Sequence, residues 1–129
     1  MAVVLVVEDE EQVRVLAESY LQEHGHQTVS AATAAEALAA LGVASHIDIL
    51  FTDLGLKDDL QAGLGLAKEA VRRQPGLKVL YTTGQGITDG MKAMMVEGSA
   101  LLPKPYTVDQ LQSSLAEHFG IEAGSQSPS

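Results

Sequence analysis

Four apolar runs in this chain stop at residues that could do chemistry. Ala2-Val-Val-Leu-Val-Val7 stops at Glu8-Asp9, and Ile47-Asp-Ile-Leu-Phe-Thr52 stops at Asp53. Leu77-Lys-Val-Leu-Tyr81 runs into Thr82-Thr83-Gly84, and Ala100-Leu-Leu102 runs into Pro103-Lys104-Pro105. Three carboxylates brought together repel: at about 4–5 Å and an effective dielectric near 20, each pair costs roughly 3–4 kcal/mol. Such a group raises a pKa or takes a counter-ion. Lys104 can neutralise one charge, and a hard divalent cation the rest. Mg²⁺ takes one or two carboxylates, keeps waters and leaves room for a phosphoryl oxygen. The chemistry indicated is metal-assisted phosphoryl transfer. A carboxylate can be the nucleophile and form an acyl phosphate. The three equatorial oxygens then need partners: the metal, the Lys104 ammonium, and the Thr83 hydroxyl with nearby backbone N–H groups. Thr82 competes for that last role; the spacing and the following Gly84 favour Thr83.

The elements between these residues explain how they could meet. Residues 2–7 read as a strand buried on both faces. From Glu10 the period changes, and Val13, Leu16, Ala17, Tyr20 and Leu21 mark the inner face of a helix that Gly25 ends in a left-handed cap. A short strand over 27–31 follows, then a capping box, Thr33 to Glu36, opening a helix with Ala37, Leu38 and Leu41 on one side. Residues 47–52 form the third strand, 64–73 a helix, 77–82 the fourth strand, 88–96 a helix and 100–102 the fifth strand. Thr107 and Gln110 form a second capping box, ahead of a helix lined by Val108, Leu111, Leu115 and Phe119. Strands alternating with helices predict a doubly wound α/β fold: a five-stranded parallel sheet with helices on both faces. Function in such a sheet gathers beyond the carboxyl ends of the strands. All four chemical groups stand there, with Asp53 on the middle strand of the set, which makes it the expected nucleophile.

The totals limit the alternatives. One domain over 1–120 and a flexible tail over 121–129 account for the 129 residues. Without cysteine, disulfides and thiolate metal sites are excluded, and a cytoplasmic location is expected. No apolar run spans a membrane, and the amino end lacks the basic segment of a secretory signal. A net charge of −9 with scattered lysines and arginines argues against nucleic acid. Gly84-x-Gly86 with Gly90 is a poor dinucleotide loop: its third glycine falls one position late and it follows the fourth strand. An aspartyl phosphatase would want a second Asp where Gly55 stands. His24-x-His26 could form a metal pair, but His24 suits a helix carboxyl end. Met91, Met94 and Met95 fit either core or an adaptable partner surface.

VVLVVEDE, FTD, YTTG and LPKPY, in that order, resemble the receiver domain of two-component response regulators over about residues 2–119. The steps of 30 residues from Asp53 to Thr83 and 51 to Lys104 make the set specific. The resemblance implies the flavodoxin-like strand order 2-1-3-4-5. It implies that Asp53 accepts phosphate from a phosphohistidine of a sensor histidine kinase or histidine phosphotransfer protein. Asp9 would hold Mg²⁺ directly, Glu8 through water, and the Gly55 carbonyl would be a further ligand. Thr83 would move toward the phosphoryl group, Lys104 would pair with it, and Lys104-Pro105 would be a cis peptide. The chain departs from the family at Leu101, where a switch aromatic is usual, and at Lys57, where Pro is common. The loop 53–65 also looks long, and the segment from Tyr81 to Gly84 resembles a subgroup of single-domain receivers.

The expected function is therefore a phosphorylation switch that catalyses only its own phosphorylation and dephosphorylation. Its output would be a protein effector, with a phosphorylation-dependent dimer as another route. The competing functions are a phosphate sink or relay intermediate without effector, and an aspartyl-phosphate hydrolase.

Overall fold

The computed structural model describes residues 2–43, 46–56, 62–84 and 86–120. Residues 57–61 of the long loop after Asp53, Lys57 among them, lie outside the described residues, as do Gln85 and the tail over 121–129. The elements run β1 (Val3–Val7), α1 (Glu11–Glu23), β2 (Gln27–Ala31), α2 (Ala34–Val43) and β3 (Ile49–Asp53). They continue as α3 (Ala62–Arg73), β4 (Lys78–Thr83), α4 (Asp89–Met94), β5 (Ala100–Pro103) and α5 (Val108–Phe119).

All strand pairs are parallel, in the order β2-β1-β3-β4-β5. Every residue of β3 is buried, as the apolar run requires of a central strand covered on both faces. Alternation then sorts the side chains. Leu5, Val7, Leu50, Val79 and Tyr81 face α2 and α3, packing on Ala37, Leu41, Leu64 and Ala67. Val4, Val6, Ile49, Phe51 and Leu80 face α1 and α5, packing on Ala17, Leu21, Leu111 and Leu115.

The local signals behave as their chemistry dictates, with instructive exceptions. Gly25 has φ 88° beyond the end of α1, and the N–H groups of Gly25 and His26 donate to the carbonyls of Gln22 and Leu21. This is a Schellman turn, closed by the residue without a Cβ. Thr107 and Gln110 cap α5 reciprocally. At α2 the Thr33 hydroxyl accepts the Glu36 N–H, but the Glu36 carboxylate reaches the N–H of Ala32, one residue further back. Leu16 does not join the inner face of α1: it is 62% exposed, because Val13, Ala17, Tyr20 and Leu21 already complete the stripe. Val108, at the first turn of α5, is likewise exposed. Helix α4 is shorter than its sequence period suggested, and none of its residues is buried.

Candidate functional site at the carboxyl edge

The parallel register delivers the four chemical groups to one rim. Glu8 follows the last residue of β1, Asp53 ends β3, Thr83 ends β4 and Lys104 follows β5. The strand ends are stitched together by backbone. The Leu54 N–H donates to the Thr82 carbonyl, and the Lys104 N–H to the Thr83 carbonyl, both at 2.8 Å. The Glu8 carbonyl accepts a hydrogen bond from the Arg14 guanidinium at 2.8 Å, which ties β1 to α1.

At that rim one ammonium serves two acids. Lys104 Nζ lies 2.8 Å from Glu8 Oε1 and 2.8 Å from Asp53 Oδ2. The remaining Glu8 oxygen accepts the Glu10 N–H at 3.1 Å, and Asp53 Oδ1 accepts the Gly55 N–H at 3.2 Å. Asp9 completes the group: Glu8, Asp9 and Asp53 each offer a carboxylate oxygen, and these oxygens lie within 4.8 Å of one another. Glu8 and Asp53 are buried, whereas Asp9 is exposed and opens the group to solvent.

Burial and charge pull in opposite directions here. Burial raises the Glu8 carboxyl above its ordinary range, and the hydrogen bond and charge of Lys104 only partly offset that. Burial alone would pull Lys104 down, but its hydrogen bonds to Asp53 and Glu8 hold the ammonium above its ordinary range. Lys104 therefore stays charged, while Glu8 is strained toward neutrality by its surroundings. Three acids against one ammonium leave two negative charges in excess when all are ionised. Hard oxygen donors with excess negative charge suit a divalent cation such as Mg²⁺.

The neighbourhood of the acids is more crowded than the sequence suggested. Tyr106 packs its ring on Phe51, with centroids 5.8 Å apart. Burial, then the Glu8 charge, pushes its phenol up to about 12. Thr82 sits beside Asp53 in the ladder, and its hydroxyl is buried with no hydrogen-bond partner among the described residues. Thr83, the next residue, ends β4 and is also buried. Gly63 had drawn no notice in sequence. A Cβ built there would lie 2.2 Å from the Asp53 carbonyl oxygen, and the Gly63 N–H donates to the Leu54 carbonyl at 2.8 Å. The first turn of α3 thus rests directly on the backbone of the acceptor strand. A glycine-rich stretch after Asp53 was the only clue, and it did not say which glycine is required.

Other candidates fall away from the rim. His24 caps the end of α1, and His26 Nδ1 accepts the N–H of Ala2 at 3.1 Å, at the opposite end of the sheet. Met91 and Met95 pack partly against the core, and Met94 is exposed. The Lys104-Pro105 peptide is cis, as expected. No helix among the described residues is long and apolar enough to cross a membrane.

Comparison with known proteins gives the family and the fold. The family model of the response regulator receiver domain matches residues 4–116. The chain belongs to that family, and it is a signalling domain of the phosphoacceptor type. It is 28% identical over 118 residues to the sensor kinase CckA of Brucella abortus, covering 90% of this chain and 12% of that protein. The chain thus spans about an eighth of that curated relative. A receiver protein from Sinorhizobium medicae shares the fold with a TM-score of 0.81 at 24% identity, over 92% of this chain and 94% of that one. The response regulator TrrA of Thermotoga maritima, solved in complex with Mg²⁺ and BeF, gives a TM-score of 0.76 at 23% identity, over 92% of this chain and 100% of that one.

Proposed function

We propose that Asp53 is the phosphoacceptor and that a phosphohistidine of a sensor histidine kinase, or of a histidine phosphotransfer protein, is the donor. The observation that carries this reading is the meeting of Glu8, Asp9 and Asp53 within 4.8 Å, with Lys104 bonded to two of them. In the transfer an Asp53 oxygen attacks phosphorus in line, the N–P bond of the phosphohistidine breaks, and an acyl phosphate forms. The leaving imidazole keeps the electron pair of that bond.

The chain's own groups prepare the step. The Gly55 N–H and Lys104 fix the two Asp53 oxygens, so the carboxylate is oriented before the donor arrives. After transfer, Lys104 is placed to follow the charge onto a phosphoryl oxygen, and the Thr83 hydroxyl supplies another partner. Mg²⁺, when bound, neutralises phosphoryl charge as it develops. Asp9, the exposed acid, is the direct ligand in this reading, with Asp53 and the Gly55 carbonyl. Glu8 acts through water in this reading, as the resemblance implies.

The protein then works as a cytoplasmic switch whose outputs are a protein effector or pairing of two copies. It catalyses only its own phosphorylation and dephosphorylation, with 1–120 as the working domain. The test is transfer from phosphorylated histidine kinases of the source organism. At least one kinase should pass its phosphoryl group to the wild type within seconds and not to Asp53→Asn. Transfer to the mutant at the wild-type rate would contradict the assignment.

A further inference from the structure

Helix α4 is the least anchored element beside the site. It has six residues and none is buried. At its downstream end the chain is held to the sheet by a side chain. The N–H of Val96, just past the helix, donates at 3.1 Å to the hydroxyl of Tyr81. Tyr81 lies on β4, is fully buried, and is two residues before Thr83, so the two side chains share one face. Its neighbour in the β5 ladder is Leu101, which offers no polar group to replace the phenol. Met91, Met95 and Val96 pack only partly against the core on this face.

We propose that the Tyr81 hydroxyl is a latch that couples the acceptor site to α4. The proposal rests on the reading of Asp53 as phosphoacceptor. In the unphosphorylated protein the hydroxyl holds Val96 and sets the resting position of α4. When Thr83 engages the phosphoryl group, the end of β4 adjusts, Tyr81 moves with it, and the bond to Val96 opens. The α4 segment is then released, and Met91 and Met95 gain freedom to meet a partner. A buried phenol suits this role because one hydrogen bond is directional and is lost with a small displacement. Nothing covalent or charged has to change at α4 itself.

Linkage makes the latch measurable. If the phosphorylated state opens the bond, then deleting the bond must favour that state by the same factor. One neutral hydrogen bond corresponds to about fivefold. The probe is beryllofluoride with Mg²⁺, which mimics a phosphoryl group on a carboxylate. Tyr81→Phe should bind it about fivefold more tightly than the wild type. Val96→Pro removes the donor instead of the acceptor, and the extended Met95 (ψ 145°) accepts a following proline. It should give the same gain, and the double variant should gain no more than either single one. Amide exchange over 97–99 should be fast in unliganded Tyr81→Phe, but in the wild type only after beryllofluoride is added. A structural role alone would lower stability without tightening binding. Unchanged or weaker binding in both variants overturns the latch and leaves the acceptor reading intact. Wild-type protein that binds no beryllofluoride overturns the acceptor reading, and the latch with it.

Discussion

The two ends of the sheet treat their polar groups in opposite ways. At the amino end, the ionised oxygens are paired one by one, although the buried His26 Nε2 has no hydrogen-bond partner among the described residues. One Asp48 oxygen accepts the Val3 N–H at 2.8 Å, the other lies 2.6 Å from His46 Nε2, and His26 Nδ1 takes the Ala2 N–H. At the carboxyl end three carboxylates crowd within 4.8 Å, and one ammonium serves two of them. Burial is not the difference, since His26 and Glu8 are each 4% exposed. The difference is charge balance. Locally matched pairs close a structure, whereas a surplus of one sign leaves a site that a cation and a phosphoryl group can complete.

Three changes would break or sharpen that contrast. The largest effect belongs to Gly63→Ala. Its methyl cannot coexist with the Asp53 carbonyl, so α3 must move off the acceptor strand, with a loss of about 2–3 kcal/mol. Urea unfolding reads it; an unchanged midpoint would mean that the carboxyl edge tolerates displacement. Next is the response to Mg²⁺. At ten times its dissociation constant the ion adds about 1.4 kcal/mol, or about 5 °C in Tm for a domain of this size. Asp9→Asn should remove most of the shift, and an equal shift in both proteins would place the ion elsewhere.

The smallest effect is at the amino end and concerns acid. Burial, then the positive amino terminus and His24, lowers the His26 pKa below its ordinary 6.5. A depressed pKa means that the fold favours the neutral ring. Its stabilising contribution is complete above pH 6.5 and is lost as pH falls from there toward the folded value. Protonated Nδ1 can no longer accept the Ala2 N–H. Thermal melts from pH 7.5 down to 5.5 should therefore show a decline that His26→Gln flattens. A decline of equal size in the variant would assign it to another group.

Much of this contrast was legible in the residue string. Asp53 and Lys104 announce themselves because a charge at the end of an apolar strand has nowhere else to go. Parallel topology then decides that such ends share one edge. What stayed hidden depends on contacts between segments distant in sequence. Leu16 fits the helical period, yet the stripe is filled without it, and periodicity does not reveal which member is left outside. Gly63 looks like any loop glycine until the backbone of Asp53 lies against it. The Tyr81 hydroxyl reads as one more buried ring, because its partner is a backbone N–H fifteen residues away. The bond between Asp48 and Val3 is hidden for the same reason: the two residues lie 45 positions apart.

The most direct test of the central claim is intact-mass spectrometry after incubation with acetyl phosphate and Mg²⁺. The wild type should gain the mass of one phosphoryl group, lose it when Mg²⁺ is withheld, and gain none when Asp53 is changed to Asn. A phosphoryl adduct of undiminished yield on Asp53→Asn would show that the crowded carboxyl edge is not where phosphate is taken.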